Sequence, residues 1–325
     1  MARTVRILLE PDVRAALDME SCIDACERAF AAYSTGGAEL PSVIHLDIPE
    51  SGGEVHVKAG HLRGAPFYAV KVSSGFYAAD PPAIDGLVLV FDARDGSPVA
   101  FLLEGGLITD LRTGAAGGVA ARFLAPRHVG TVAVIGTGIQ ARYQLEALAV
   151  ARPGFSRVRV WGRDAEHAAR CVSELRGRTG LPEGCLFEVS ASIDQAIEGA
   201  DVVITCTAST SPLVRAELLA TGAHVTALGS DGPGKQELHP DVIERADLLV
   251  VDSRDQSLRL GELQHAPEEA VRAVELGEIV AGRHPGRTDE DQLTVCDLTG
   301  LGVQDVAAAN VMMQRAAGAG GTIEI

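Results

Sequence analysis

Residues 131–141 read TVAVIGTGIQA. Val132 to Ile135 is a short apolar run of the kind that makes a strand buried on both faces. Gly136-Thr137-Gly138-Ile139-Gln140-Ala141 follows, and a helical pattern continues through Leu145, Leu148 and Ala149. Strand, glycine turn and helix in that order predict a dinucleotide site, in the variant with Ala at the third small position. Gly136 permits the tight turn, Gly138 lets the backbone approach a pyrophosphate, and Ala141 keeps the helix near the sheet. The N–H groups of the helix N-terminus would then meet the anion.

The rest of the chain falls into two patterns around this stretch. After Pro126, strands are expected at 132–135, 158–161, 186–189, 202–206, 224–228 and 248–251. Helical stretches of roughly 10–15 residues separate them, as parallel crossover units require. A late strand at 293–297, a helix from 304 to 317 and a last strand in the tail GAGGTIEI complete this half. Upstream, 5–9 reads as a strand, and Val13, Leu17, Ile23, Cys26 and Phe30 fall at helical spacing. That spacing breaks near Asp18 to Ser21, so two helices are expected, ended by Gly36-Gly37. From 41 to 103, short β-branched runs (VIHLDI, EVHVKAG, FYAVKVSSG, GLVLVFDA, PVAFLLEG) predict an antiparallel sheet, with DARDGSPVA as a hairpin turn. The stretch 109–124, TDLRTGAAGGVAARFL, reads as a helix whose small residues admit a closely packed neighbour.

Composition narrows the function. A chain of 325 residues has room for about two domains. Its formal charge of -16 argues against nucleic acid and against an anionic membrane surface as partners. The six cysteines, at 22, 26, 171, 185, 206 and 296, show no CxxC spacing, so neither a metal nor a disulfide framework is expected. No signal peptide and no membrane-length apolar run is read, and the expected location is cytoplasmic.

Three groups carry chemistry. At the end of the second strand of the nucleotide half, Gly162 and Arg163 occupy the tip and Asp164 follows. An acidic residue at the tip would hold the 2′-hydroxyl of NAD, whereas Arg163 suits a 2′-phosphate. NADP(H) is therefore favoured over NAD(H), with Asp164 equally suited to capping the next helix. In ALGSDGPGKQEL, which starts at a strand's carboxyl end, Asp231 offers a carboxylate to an amine or imine proton, or serves only as a turn residue. In the antiparallel half, Lys58, Lys71 and Arg112 are cations within apolar or small-residue elements. Burial lowers a lysine's pKa and suits it to proton transfer, while an edge-strand lysine deters aggregation. An arginine among Gly and Ala suits a bidentate grip on a carboxylate.

These stretches resemble the ornithine cyclodeaminase / μ-crystallin family over nearly the whole chain. The resemblance rests on AVKVSSG, ITDLRTGAAGGVAA, VAVIGTGIQARYQLEAL, ALGSDGPGKQEL and VCDLTGLGVQD. It implies an α/β fold: a Rossmann doubly wound parallel sheet at 125–303, plus an α+β substrate and dimerisation domain at 1–124, completed by 304–325. It implies a homodimer and hydride exchange between a nicotinamide and an amino-acid α-carbon through an imine. It assigns Lys71 and Asp231 to catalysis and Arg112 to the substrate carboxylate. Gly136, Thr137, Gly138, Ile139 and Gln140 would cover the pyrophosphate, with Thr207, Ser230 and Val303 near the ribose and nicotinamide.

Two departures refine the substrate. His45 stands where many members carry an arginine that grips the carboxylate, and Lys58 where ornithine cyclodeaminases carry a glutamate. A lysine there repels a substrate ammonium. With His45 and His56 beside these cations, an acidic or neutral imino acid is expected. LDIPESGGEVHVKAG and AGRHPGRTDEDQLTVCDLTGLGVQD are similar to the ectoine-utilisation branch, whereas SDGPGKQEL is closer to alanine dehydrogenases and ketimine reductases. The reading is thus an NAD(P)H-dependent imine reductase or amino-acid dehydrogenase. A cyclodeaminase-type lyase and a non-catalytic NADPH-binding protein are the alternatives.

Overall fold

The computed structural model describes residues 3–76, 79 and 83–325. Contacts divide the chain into two compact units, Met1–Arg112 with Leu301–Ile325, and Thr113–Gly300. The division falls inside the helix Leu107–Leu124, whereas the sequence reading placed it after that helix.

The second unit carries an eight-stranded sheet in which every pairing is parallel. Thr131–Ile135 lies inside it, flanked by Arg157–Trp161 on one side and Val202–Thr205 on the other. Strand order runs outward in both directions from there, so the topological switch lies between Thr131–Ile135 and Val202–Thr205. Open α/β sheets bind ligands beyond the carboxyl ends of strands at that point. The late strand Thr294–Asp297 inserts between His224–Ala227 and Leu248–Val251. All four residues are buried in Val202–Thr205, His224–Ala227, Leu248–Val251 and Thr294–Asp297, as strands covered on both faces require.

One expectation for this unit fails. Only Gln140–Ala151 and Ala165–Arg176 reach the expected helix length, while Ile193–Ile197, Pro240–Arg245 and Arg254–Leu260 have 5 to 7 residues. Polar and proline-bearing segments there leave too few apolar positions for a longer helix. A parallel pair, Thr210–Val214 with Gln236–Leu238, was not foreseen, because three exposed residues begin its first strand. The small-residue helix does admit a close neighbour: a Cβ on Gly114 would meet Tyr143 O at 2.8 Å.

The first unit is built on a second eight-stranded sheet. It is antiparallel through Ile44–Ile48, Gly53–Leu62, Phe67–Phe76, Ala83–Asp92 and Pro98–Leu103. Thr4–Leu9 then joins Pro98–Leu103 in parallel, and Gly321–Glu324 joins Thr4–Leu9 antiparallel. The antiparallel pairing expected for 41–103 is found, and the two terminal strands extend the sheet into a mixed one. Two helices, Glu10–Ala16 and Met19–Ser34, follow the first strand, and so long a connection frees it from hairpin pairing. The helices part at Asp18, whose side chain accepts a hydrogen bond from the Ser21 N–H.

Register sets the two faces of this sheet. Lys58, Lys71, Val88 and Leu102 lie side by side in one row, with Ala69, Val90 and Ala100 on the same face. That face packs against the helix Gly302–Arg315, and Ala69, Val88, Val90, Ala100 and Leu102 are at most 2% exposed. The opposite face carries the row Ile44, Val57, Val72 and Leu87. All six cysteines are free thiols.

Candidate functional site

In the first unit, alternation along Phe67–Phe76 turns Lys71 toward the helix-covered face, where it is 1% exposed. Its Nζ lies 3.0 Å from Asp305 Oδ1, on the first turn of Gly302–Arg315. Arg112 Nε donates to the same oxygen at 3.1 Å. Gln304 Nε2 donates to the Arg112 backbone carbonyl at 3.3 Å, so both ends of that residue are held. Asp305 Oδ2 is buried, with no hydrogen-bond partner among the described residues.

Electrostatics separate the three groups. Burial pulls the Lys71 pKa down to about 7; Asp305 opposes the fall, while Arg112 and Lys58 add to it. Burial alone would raise Asp305, but Lys71, Arg112 and Lys58 together hold its carboxyl below the usual range. A second buried acid, Glu104, accepts a hydrogen bond from the Ile108 N–H at 2.7 Å at the start of Leu107–Leu124. Burial pushes Glu104 up to about 7, against the pull of the Ile108 N–H and Lys71.

Sequence reasoning named Lys71 and Arg112 but missed Asp305 and Glu104. The signal for Asp305 was the one charged residue inside GVQDVAAANV, a stretch of mostly apolar and small residues, where an unpaired charge would be costly. Lys58 is paired in register with Lys71 on the neighbouring strand, one strand farther from the centre of the sheet. His45 and His56 face each other one row along, rings edge to face at 4.7 Å. Val303 is fully buried in the first turn of Gly302–Arg315.

In the second unit the glycine turn leaves the carboxyl end of Thr131–Ile135. Gly136 has φ of +130°, and a Cβ there would meet Cys206 O at 2.7 Å, so only glycine fits. A Cβ on Gly138 would meet nothing within 4 Å, which leaves open space over the turn. Gln140–Ala151 begins without a side-chain cap, as an anion-accepting helix end does. The Arg142 guanidinium donates to Thr137 O at 2.5 Å and Gly138 O at 2.7 Å. Because C=O and N–H point opposite ways in a peptide, this turns the Gly138 and Ile139 N–H groups away from Arg142. The residues present fit a dinucleotide pyrophosphate.

At the next strand tip, Asp164 caps Ala165–Arg176 by accepting from the His167 N–H at 2.9 Å. Arg163 is exposed. A Cβ on Gly162 would strike Thr137 Cγ2 at 2.4 Å, so the tip and the glycine turn are in contact.

The 228–238 loop is held by acids the sequence reading passed over. Glu237 accepts from Thr205 Oγ, Thr207 N–H, Thr207 Oγ and Gly229 N–H. Glu262 accepts from the Glu237 and Leu238 N–H groups, and Asp297 from the Glu262 N–H. Burial, with neighbouring carboxylates, pushes Glu262 up to about 9 and Asp297 up to about 8. Ser230 is fully buried, donating to Lys235 O at 2.9 Å. The side chains of Thr207 and Ser230 therefore shape the loop internally. Asp231 is partly exposed, its Oδ1 2.7 Å from Lys235 Nζ.

The ornithine cyclodeaminase/mu-crystallin family model matches residues 4–320. A Rhizobium meliloti chain that bears the name dehydrogenase is 42% identical, over 98% of this chain and 99% of its own. The iminosuccinate reductase of Paracoccus denitrificans is 31% identical, over 95% and 96%. An archaeal alanine dehydrogenase dimer with bound NAD superposes with a TM-score of 0.88, at 31% identity and 99% coverage of both chains. Relatives comprise imine reductases, an alanine dehydrogenase and ornithine cyclodeaminases. None of the described helices is long and apolar enough to cross a membrane. The chain belongs to the ornithine cyclodeaminase/mu-crystallin family.

Proposed function

We propose that this protein is an NAD(P)H-dependent oxidoreductase that reduces the imine of a small acidic or neutral 2-oxo acid. The observation that carries the reading is the buried Lys71–Asp305–Arg112 cluster, two cations sharing one carboxylate oxygen. Arg112 keeps its terminal nitrogens for the substrate α-carboxylate, because Asp305 engages Nε. Lys71, drawn down to about 7, exchanges a proton near neutral pH at the substrate nitrogen or at its water. Asp231 serves as the acidic partner of the substrate nitrogen. A bound nicotinamide supplies the hydride.

Gly136, Thr137, Gly138, Ile139 and Gln140 hold the pyrophosphate. The family resemblance assigns Thr207, Ser230 and Val303 to the ribose and nicotinamide. Arg163 and Gly162 at the strand tip favour NADP(H), since Asp164 is spent on the helix cap. NAD-bound relatives support NAD(H) as the second choice. Lys58, in the row of Lys71, disfavours a substrate with a second ammonium and so counts against ornithine. The protein acts as a homodimer. This is supported by the NAD-bound alanine dehydrogenase dimer and by the sheet face that leaves Ile44 62% exposed in a row with Val57, Val72 and Leu87.

The test follows nicotinamide absorbance with glyoxylate, pyruvate or oxaloacetate plus ammonium or methylamine. Net consumption of NADPH or NADH is expected. Ammonia release from ornithine without net absorbance change would replace the reductase with the cyclodeaminase. Tight cofactor binding with neither activity would leave a binding protein.

A further inference from the structure

We propose that His45, His56 and Glu54 form a binding site for one divalent cation of the zinc class. The cysteine spacing gave no hint of a metal; cross-strand register supplies the ligands instead. His45 pairs directly with His56, and Asp47 with Glu54, on adjacent antiparallel strands. Side chains two apart share a face, so two imidazoles and two carboxylates form a rectangle on one side of the sheet. The ligand atoms of His45, Glu54 and His56 all lie within 4.8 Å of one another. His56 Nε2 and Glu54 Oε1 are 3.7 Å apart, too far for a good hydrogen bond and near the separation of two ligands on one tetrahedral ion.

The fourth group orients a ligand. His45 Nε2 lies 2.9 Å from Asp47 Oδ1, the arrangement in which a carboxylate fixes an imidazole and frees its other nitrogen for the metal. Two imidazoles and one carboxylate suit zinc and its neighbours over calcium or magnesium. His45 is exposed, so water can take the remaining position. Lys58 follows His56 by two residues on the same face and opposes a cation, but Glu54 and Asp47 outnumber it.

The test uses the full chain, stripped with a chelator, and titrates it calorimetrically with zinc chloride and spectroscopically with cobalt(II). Saturable binding of one ion per chain with tetrahedral cobalt bands is expected. His45→Ala and His56→Ala should abolish it, Asp47→Asn should weaken it about tenfold or more, and His61→Ala should leave it intact. An unchanged thermal unfolding curve of the metal-free protein checks that each variant folds. Absence of saturable binding, or equal binding in wild type and His56→Ala, overturns the site. Neither result touches the reductase reading, which does not depend on the ion.

Discussion

Lys71 Nζ and Asp305 Oδ1 stand 3.0 Å apart, both side chains at most 2% exposed, and Arg112 Nε meets the same oxygen. One carboxylate thus serves as the shared counter-charge of two buried cations. Asp305→Asn would leave both unpaired, which costs about 3–5 kcal/mol when a buried ion pair loses one partner. The expected outcome is that loss in denaturant unfolding, together with at least about a hundredfold loss of imine reduction. Unchanged stability in Asp305→Asn would show that the ion pair is not formed in solution.

Lys71 makes stability depend on pH with a defined sign. Its pKa falls from 10.5 to about 7 on folding, so between those values the unfolded chain binds the extra proton. The burden of burying the charge is full below about 7 and fades as pH rises toward 10.5. Relative to Lys71→Met, the wild type should gain stability across that window. Parallel unfolding free energies at several pH values check it, and a flat difference would refute it.

The two turn glycines should respond differently to the same substitution. Gly136→Ala forces a positive φ and a clash with Cys206 O, so it should destabilise the fold. Gly138→Ala places its methyl in open space, so the melting temperature should hold while the dinucleotide Kd rises at least about tenfold. Matching melting temperatures and unaltered nucleotide binding in both variants would disprove the turn's role.

Arg163→Ala should weaken NADPH binding about tenfold or more and leave NADH binding near its original value. Isothermal titration with both nucleotides decides the matter. Equal effects on the two would remove Arg163 from 2′-phosphate recognition.

Glu262 and Asp297 predict alkaline sensitivity. Their folded pKa values, about 9 and about 8, lie above the ordinary 4.5 and 3.8, so the folded protein holds protons that the unfolded chain releases. Stability should decline as pH climbs from the ordinary values through 8 to 9. Glu262→Gln should flatten that decline, measured by unfolding at neutral and alkaline pH, and an identical slope in the variant would count against the cluster.

The parallel half was legible because its strands are continuous apolar runs closed by glycine turns; 186–189 and 248–251 match the observed bounds. Lys71 and Arg112 stood out as cations in apolar or small-residue surroundings. Asp305 did not, because its partners come from far along the chain and only folding brings them together. Glu237, Glu262 and Asp297 were hidden for the same reason: a buried acid and a solvated one look alike until their neighbours are known. The antiparallel strands of 41–103 were legible, but the parallel pairing of the first strand was not, because it depends on the long path through two helices, which leaves no local mark.

The first unit is discontinuous: Met1–Arg112 and Leu301–Ile325 are separated by the whole of Thr113–Gly300. During synthesis, Lys71 and Arg112 leave the ribosome long before Asp305 exists. The helix that covers the Lys71 face of the sheet and the strand that pairs with Thr4–Leu9 both arrive in the last 25 residues. A nascent chain therefore holds all of Thr113–Gly300 before the lysine and arginine meet their carboxylate. Chain termination before Asp305 would yield a protein that retains all of Thr113–Gly300 and whose Lys71 has lost its counter-charge.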